Sequence, residues 1–264
     1  MSQPESRARP GWARLAAVGL VGGFFAGVFG VGGGLLMVPL LLWWTQMDQR
    51  RASATSLLAI TPAALLGAIS YGVGGVFAWL PAVFVAAGSI TGAQLGAWIL
   101  KRIPLEPLRW SFIAFVLLSG AMLFITVPNR DALFELSAVT AALLIALGLF
   151  MGIAAGLFGI GGGVIVIPAL MLFLGQSDLV AKSVSLLAMA PGSLSGSVSH
   201  LRYKSASLRD GAWVSIGAIV TTPVGAIVAF GLTPQAAAIL FGALTLFVAT
   251  SLIYHAIGER KPST

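Results

Sequence analysis

The polar side chains within the apolar stretches of this chain are mostly hydrogen-bond donors. Ser56, Gln94, Ser185, Ser195 and Ser199 lie in such stretches, whereas all eight Asp and Glu residues lie in loops or near segment ends. Neutral donors suit an oxyanion, and the missing carboxylates argue against a metal-ion carrier or a carboxylate proton relay. The pattern favours an anion as ligand, although a single serine in a membrane helix more often bonds its own helix or a neighbour.

A glycine-rich phrase followed by a proline occurs twice. The copies are Phe29-Gly30-Val31-Gly32-Gly33-Gly34 with Pro39, and Phe158-Gly159-Ile160-Gly161-Gly162-Gly163 with Pro168. Free N–H groups of a glycine loop that opens a half-helix suit an anion, because they lie at the positive end of the helix dipole. We therefore predict a substrate site at the glycines of both loops and helix breaks at both prolines. The alternative is that the glycines only permit close packing and a kink.

The two halves of the chain match beyond these phrases. Residues 20–126 align without a gap onto residues 149–255, so Gly30 corresponds to Gly159 and Ser56 to Ser185. Two copies of one design, each with an interrupted helix, are typical of a transporter whose substrate site lies between the halves.

The apolar stretches predict eight segments, four in each repeat. They run over 12–45, 53–75, 77–100, 108–127, 137–175, 183–201, 211–232 and 234–257. The first and fifth are longer than the ~20 residues that span a bilayer, so each either kinks or returns as a re-entrant hairpin. The predicted organisation is a cytoplasmic N-terminal tail at 1–11, a first transmembrane repeat at 12–127, a connecting loop at 128–136, a second transmembrane repeat at 137–257 and a cytoplasmic C-terminal tail at 258–264.

Bulk composition places the chain in a membrane. Hydrophobic residues make up 58% of it and charged residues 9%, and the mean hydropathy is +0.99. The net charge of +7 comes from scattered clusters between apolar segments, which membrane orientation explains better than nucleic-acid binding. There is no cysteine, so disulfides and thiolate metal sites are excluded. The sequence also has no Walker A phrase, no paired intramembrane Asp and no His-rich zinc motif, so we expect neither an enzyme nor a cofactor.

The distribution of Lys and Arg favours re-entrant hairpins. If the first and fifth segments return to the side they entered, all fifteen basic residues except Arg130 and Lys182 face the N-terminal side. That bias is what the positive-inside rule expects for cytoplasmic termini in the cell membrane. Three net crossings per half then turn the second repeat upside down. The predicted fold is an all-α polytopic membrane protein with two inverted four-segment repeats, whose first segments are broken or re-entrant.

Three further features of the sequence bear on the site and on helix packing. His200 lies near Arg202 and Lys204, so an interfacial histidine is favoured over a pH-sensing or coupling role. Lys182 would attract an anion to the outer mouth of a cavity. Gly88, Gly92 and Gly96 have a spacing of four, which predicts a helix-packing stripe.

The repeated Ala-Gly-x-Phe-Gly-x-Gly-Gly-Gly-x-x-x-x-Pro at 26–39 and 155–168 resembles the motif of the sulfite exporter TauE/SafE family. The resemblance implies a plasma-membrane permease without a nucleotide-binding domain that moves small sulfur-containing anions, such as sulfite, sulfoacetate or related sulfonates, commonly outward. The family's glycine motifs carry over to the two glycine phrases above, and its helix-breaking prolines to Pro39 and Pro168.

The expected function is secondary transport of a small anion by alternating access between the repeats. An anion channel and a non-transporting membrane partner of another protein are the alternatives. The expected partners are the substrate and the lipid bilayer, with no nucleic acid, and a homodimer would not be surprising. We also expect Gly33→Leu and Gly162→Leu to block the anion while leaving the protein folded.

Overall fold

The computed structural model describes residues 10–125 and 137–258, and of 119–125 and 255–258 only the backbone. Within these ranges the chain forms ten α-helices and no β-strand. The helices are α1 (Trp12–Phe29), α2 (Gly34–Thr45), α3 (Gln49–Val73), α4 (Trp79–Arg102), α5 (Leu105–Ile125), α6 (Ala138–Phe158), α7 (Gly163–Leu174), α8 (Asp178–Arg202), α9 (Leu208–Gly231) and α10 (Pro234–Gly258). The predicted all-α fold is confirmed.

The glycine phrases divide the first and fifth segments into two helices each. Gly30 ends α1 with a φ of 69° and Gly33 precedes α2 with a φ of 73°. Gly159 and Gly162 repeat this between α6 and α7, with φ values of 68° and 77°. Only glycine adopts this left-handed backbone without a steric cost. The same local chemistry therefore breaks both helices at equivalent positions.

The predicted break at the prolines is wrong. Pro39 lies inside α2 and Pro168 inside α7. A proline within a helix removes one N–H donor and kinks the helix, but the neighbouring turns continue. The breaks lie at the glycines instead, because their backbone leaves the helical region altogether.

Both broken segments fold back as hairpins. Arg14, near the start of α1, donates from Nη1 to the carbonyl oxygen of Trp44, near the end of α2, over 3.3 Å. At the turn, Gly33 packs against the backbone carbonyl of Gly22, and Gly162 packs in the same way against Met151. A kinked but continuous span would place these residues far apart. We call the turns of the two hairpins, residues 30–34 and 159–163, the hairpin tips.

Other contacts define the two ends of the helix bundle. At the end where α3 begins, Arg51 pairs with Asp210 at 2.6 Å, and Arg50 donates to the carbonyl of Ile103 over 2.7 Å. We call this the basic end. At the opposite end Ser183, near the start of α8, donates to the carbonyl of Val76 over 2.9 Å. Helix α8 thus begins where its counterpart α3 ends, while the orientation of the repeats in a bilayer stays a prediction.

Several helices are long and apolar enough to cross a membrane. Within the described residues six meet this criterion, namely α1, α3, α4, α6, α9 and the Pro234–Tyr254 part of α10. Helices α2 and α7 are apolar but shorter. Large apolar side chains lie on the outer surface, including Leu65, Phe150 and Phe247. Such a surface suits hydrocarbon, and helices satisfy their own backbone hydrogen bonds there.

The predicted glycine stripe on α4 is confirmed as a packing surface. Gly88, Gly92 and Gly96 lie against the backbone of α6, where an added Cβ would overlap a carbonyl oxygen. Gly217 and Gly225 of α9 pack in the same way against α1. Small residues let two membrane helices approach closely enough for extensive van der Waals contact. Each hairpin is therefore attached to the other repeat through one glycine-lined helix pair.

Gly92→Ala should destabilise the folded protein, because its methyl group would meet the carbonyl oxygen of Leu149. We expect a loss of about 1–3 kcal/mol, the usual cost of overpacking. The measurement is thermal unfolding of the purified protein in detergent. Gly231→Ala is the matched control, since a Cβ there meets nothing within 4 Å. Equal melting temperatures for the two variants would contradict the packing role.

Candidate functional site between the hairpin tips

The two hairpin tips meet through a pair of equivalent hydrogen bonds. Ser56 of α3 donates to the carbonyl of Gly159 over 2.8 Å, and Ser185 of α8 donates to the carbonyl of Gly30 over 2.9 Å. Each serine thus binds the hairpin of the other repeat, and both are buried. The carbonyls at a helix C-terminus lack partners within the helix. The two predicted serines lie at the centre of the protein, with their hydroxyl protons engaged by backbone.

The glycine N–H groups fall into two sets. Gly30 and Gly159 donate to the carbonyls of Ala26 and Ala155 over 2.9 and 2.8 Å, which caps α1 and α6. The remaining predicted glycines of the tips make no N–H hydrogen bond with any described residue. These are Gly32, Gly33, Gly34, Gly161, Gly162 and Gly163. They precede or begin α2 and α7, so these donors lie at two helix N-termini, where an anion is favoured. Of the six glycines, Gly163 is the one that lines the cavity described below.

The tips are closely packed against one another. A side chain at Gly34 would overlap the carbonyl of Gly159, and one at Gly32 or Gly161 would overlap Met189. Met189 is the counterpart of Ile60, and both are buried between the repeats. The two tips are therefore in close contact at these glycines, with Met189 packed against both.

One cavity reaches the tips from the end of the bundle opposite the basic end. Its volume is about 260 Å³, and it lies between the beginnings of α7, α8 and α10. Most of its wall is apolar, and Gly163 contributes the start of α7. The lining includes Phe29, Val31, Ile167, Met171 and Phe241, together with the charged pair Asp178 and Lys182.

Lys182 is the charged group deepest in the protein at this cavity. Its side chain is 3% exposed and packs against Gly30 of the first tip. Its Nζ lies 2.7 Å from Oδ2 of Asp178, one helical turn earlier. The contact is an ion pair without aligned hydrogen-bond geometry, since Nζ has no hydrogen-bond partner among the described residues. The sequence predicts Lys182 only as an outer charge. The signal that could have identified its burial is that Lys182 stands where the first repeat has Ser53.

The remaining predicted site residues lie elsewhere. Gln94 is exposed on α4 and donates from Nε2 to Ser195 of α8 over 2.9 Å. Ser195 donates to the carbonyl of Ile90 over 3.1 Å, and Ser199 to that of Ser195 over 3.2 Å. These bonds tie α4 to α8 and satisfy α8 itself. The structure does not bring the three side chains to the cavity.

The interfacial interpretation of His200 is wrong. Its side chain is buried, and Nε2 lies 2.9 Å from the carbonyl oxygen of Gly156 in α6. Its other ring nitrogen, Nδ1, has no hydrogen-bond partner in the described part of the chain. A role in coupling stays a prediction. No group of three or more metal-ligating side chains occurs among the described residues.

Long apolar helices, two hairpins that meet inside the protein and a cavity that ends at their tips define a polytopic membrane transporter. The chain belongs to the sulfite exporter TauE/SafE family, whose profile matches residues 1–123 and 144–263. It is 28% identical over 210 residues to the probable membrane transporter protein YunE of Bacillus subtilis, covering 71% of this chain and 77% of that protein. It is 28% identical over 250 residues to a probable membrane transporter protein of Xylella fastidiosa, covering 91% and 94%.

Substitution of the tip glycines should destabilise the folded protein, contrary to the expectation from sequence that Gly33→Leu and Gly162→Leu spare the fold. Even Gly33→Ala combines a left-handed backbone with an overlap onto the carbonyl of Gly22. We expect losses of about 1–2 kcal/mol from the backbone and about 1–3 kcal/mol from overpacking. The measurement is the melting temperature and the yield of monodisperse protein in detergent.

Gly75→Ala is the control for this prediction. Gly75 has a φ of 85°, yet a Cβ there meets nothing within 4 Å. It therefore carries the backbone cost without the overlap, and we expect a smaller loss. A Gly33→Ala protein as stable as Gly75→Ala would contradict the close packing of the first tip.

Proposed function

We propose that the protein is a secondary transporter of small anions that works by alternating access between two repeats inverted across the cell membrane. The observation that carries the proposal is the meeting of two broken hairpins inside the protein, with a cavity that reaches them from one end of the bundle. Unwound backbone at membrane depth is tolerated where it is packed in protein or lines a cavity. Transporters use such half-helix ends to hold substrates near the bilayer centre.

The cavity is not shared equally by the two repeats. Its wall includes Ile167, Ala237 and Phe241, which are themselves only 1–4% exposed. Their counterparts Val38, Leu108 and Phe112 are fully buried and do not line it. A difference of this kind between equivalent positions is expected for a carrier in one of its two states. A channel would need both sides open at once.

Polar groups on the closed side support a second state. Both amide atoms of Gln49 and the hydroxyls of Ser53 and Thr55 are buried and make no hydrogen bond with the described residues. An unsatisfied buried group costs about 1–3 kcal/mol. Opening this side would let water or substrate reach these groups. Their burial therefore narrows the free-energy difference between the closed and open states of the first repeat.

The charges support the orientation. Among described residues, Arg14, Arg50 and Arg51 lie at the basic end, while Lys182 lies at the cavity end. By the positive-inside rule the basic end is cytoplasmic. The cavity then opens outward, and both termini lie in the cytoplasm. The second repeat begins on the outer side in this arrangement.

An anion fits the chemistry of the site. Lys182 supplies a positive charge, and the N-terminus of α7 opens onto the same cavity at Gly163. The inside-negative potential would drive a monoanion outward by ~2.3 kcal/mol per charge per 100 mV. The family resemblance makes sulfite and organosulfonates such as sulfoacetate the first substrates to test. Transport rather than catalysis is the role that the family supports.

The proposal predicts counterflow. Proteoliposomes loaded with unlabelled sulfite or sulfoacetate should take up the labelled anion faster than vesicles loaded with a neutral solute, and the flux should saturate. After each uptake step, a carrier must turn its binding site back to the outside of the vesicle. Unlabelled anion trapped inside can occupy the site during this return step and so speeds the uptake of labelled anion. Flux that neither saturates nor responds to trapped anion would favour the channel. No flux for these or other small anions, from folded protein, would reject transport.

The proposal also predicts opposite changes in accessibility at two equivalent positions. The chain contains no cysteine, so single cysteines can be labelled without background. In detergent, Ala237→Cys should react with a small methanethiosulfonate and Leu108→Cys should not, because only Ala237 lines the cavity. A transported anion should slow the first reaction and accelerate the second, as the carrier populates its other state.

Labelling from one side of the membrane tests the proposed orientation. In intact cells, a reagent that cannot cross the membrane should modify Ala237→Cys from outside. Reaction rates at both positions that ignore the transported anion would contradict alternating access.

A further inference from the structure

A polar side chain lies on the outer surface of α4, a helix long and apolar enough to span the membrane. Thr91, Gln94, Leu95 and Trp98 are exposed, and their spacing of three and four places them on one side of the helix. We call these four residues the α4 face. Gln94 lies two helical turns before Lys101, which is about 10 Å along the helix axis. Since Trp98 and Lys101 mark the membrane surface, the amide of Gln94 lies below it and faces lipid in a single copy of the chain.

Part of the hydrogen-bonding capacity of this amide is unused. Nε2 of Gln94 donates one hydrogen bond, to Oγ of Ser195 over 2.9 Å. An amide has a second N–H and an oxygen that accepts two hydrogen bonds, and neither has a partner among the described residues. Thr91 differs, because its hydroxyl donates to the carbonyl of Gly88 in the same helix over 2.9 Å. Hydrocarbon offers no hydrogen bond, so an unpaired amide in contact with it is costly.

The equivalent surface of the second repeat is entirely apolar. The counterparts of the α4 face on α9 are Val220, Pro223, Val224 and Ile227. Both helices pack through glycines against a broken hairpin, α4 against α6 and α9 against α1. This packing and contact with lipid therefore need no amide at the position of Gln94. The fold of one chain does not account for a polar group on this surface.

A second copy of the chain can supply the missing partner. The basic residues orient every copy in the same way across the membrane, so a twofold axis that relates two copies runs along the membrane normal. Residues beside such an axis face their own equivalents at the same depth. An amide is complementary to itself, because the oxygen of one accepts from the N–H of the other and the reverse. A lipid acyl chain has neither a donor nor an acceptor.

We infer that the α4 face is the interface of a homodimer in the membrane. The two Gln94 amides bind one another across the twofold axis, as polar side chains do between membrane helices, and Leu95 and Trp98 of each copy pack against the other copy. The bond to Ser195 holds each amide in position. Helix α4 is the helix whose glycines lie directly on α6, so the interface joins closely packed parts of the two copies. Neither α5 nor α10 contributes to it.

The first test measures proximity with single cysteines in native membranes, since the chain contains no cysteine. Under mild oxidation with copper phenanthroline, Leu95→Cys should form a disulfide-linked dimer, because it lies beside the axis. Val224→Cys is the matched control, since Val224 occupies the equivalent position on α9 and is 51% exposed against 48% for Leu95. Thr91→Cys with Val220→Cys gives a second pair. Cross-linking that is equal within each pair, or absent at both Leu95→Cys and Thr91→Cys, would overturn the inference.

The second test measures the equilibrium between monomer and dimer in lipid bilayers, with fluorescence energy transfer between labelled copies. Gln94→Leu removes the amide and should raise the dissociation constant of the dimer about tenfold or more, as expected for the loss of two hydrogen bonds between membrane helices. Ser195→Ala is the control, because it removes the same bond within the chain and keeps the amide. Its dissociation constant should stay close to that of the unmodified chain.

The remaining outcomes also decide the matter. A monomer in bilayers for the unmodified chain rejects the dimer. A dimer that Gln94→Leu leaves unchanged places the interface on another surface, and a Leu95→Cys product that contains only a different protein assigns the α4 face to that protein; either result contradicts the inference. If Gln94→Leu fails to fold, the cysteine pairs still give the answer, because they retain Gln94. None of these measurements depends on transport, so the proposed function and this inference stand or fail separately.

Discussion

The structure depends on satisfying the backbone of two helices that are broken inside a membrane protein. A helix that ends in an apolar medium leaves carbonyl and N–H groups that water cannot reach. Ser56 and Ser185 satisfy one carbonyl at each break, and each serine comes from the other repeat. Neither hairpin tip could be satisfied in this way by its own repeat alone. Duplication of the sequence therefore supplies, for each broken helix, the serine that satisfies its exposed carbonyl.

The same arrangement limits how the protein can move. The glycine-lined pairs of α4 with α6 and of α9 with α1 allow little rearrangement, since backbone lies directly against backbone. The contacts of α10 and α5 with the hairpins involve larger side chains, and here the two repeats differ. Beside α10 a cavity remains, while beside α5 Leu108 and Phe112 are buried. Movement of these two helices relative to the hairpins is the rearrangement that the packing permits most readily.

The helix breaks and the hairpins could be predicted because their causes are local or follow a simple rule. Glycine supplies the left-handed backbone, and the distribution of arginine favours a hairpin over a kink. The roles of individual polar residues could not be predicted. A membrane helix is apolar on every face, so no periodicity distinguishes the inward Ser56 from the outward Gln94. The burial of His200 depends on Gly156, which is distant in sequence. The burial of Lys182 depends on Gly30 of the first tip, against which it packs and which is also distant in sequence.

A buried charge in a transport site must satisfy two opposing requirements. An isolated ammonium group in an apolar cavity would be costly, so it needs an anion nearby at all times. Asp178 supplies that anion on the same helix, one turn away, and so holds Lys182 without linking it to a moving element. In the carrier that we propose, a substrate anion would compete with Asp178 for Lys182. It would therefore bind more weakly than it would to an unpaired ammonium group, which would let it leave once the cavity faces the other side of the membrane.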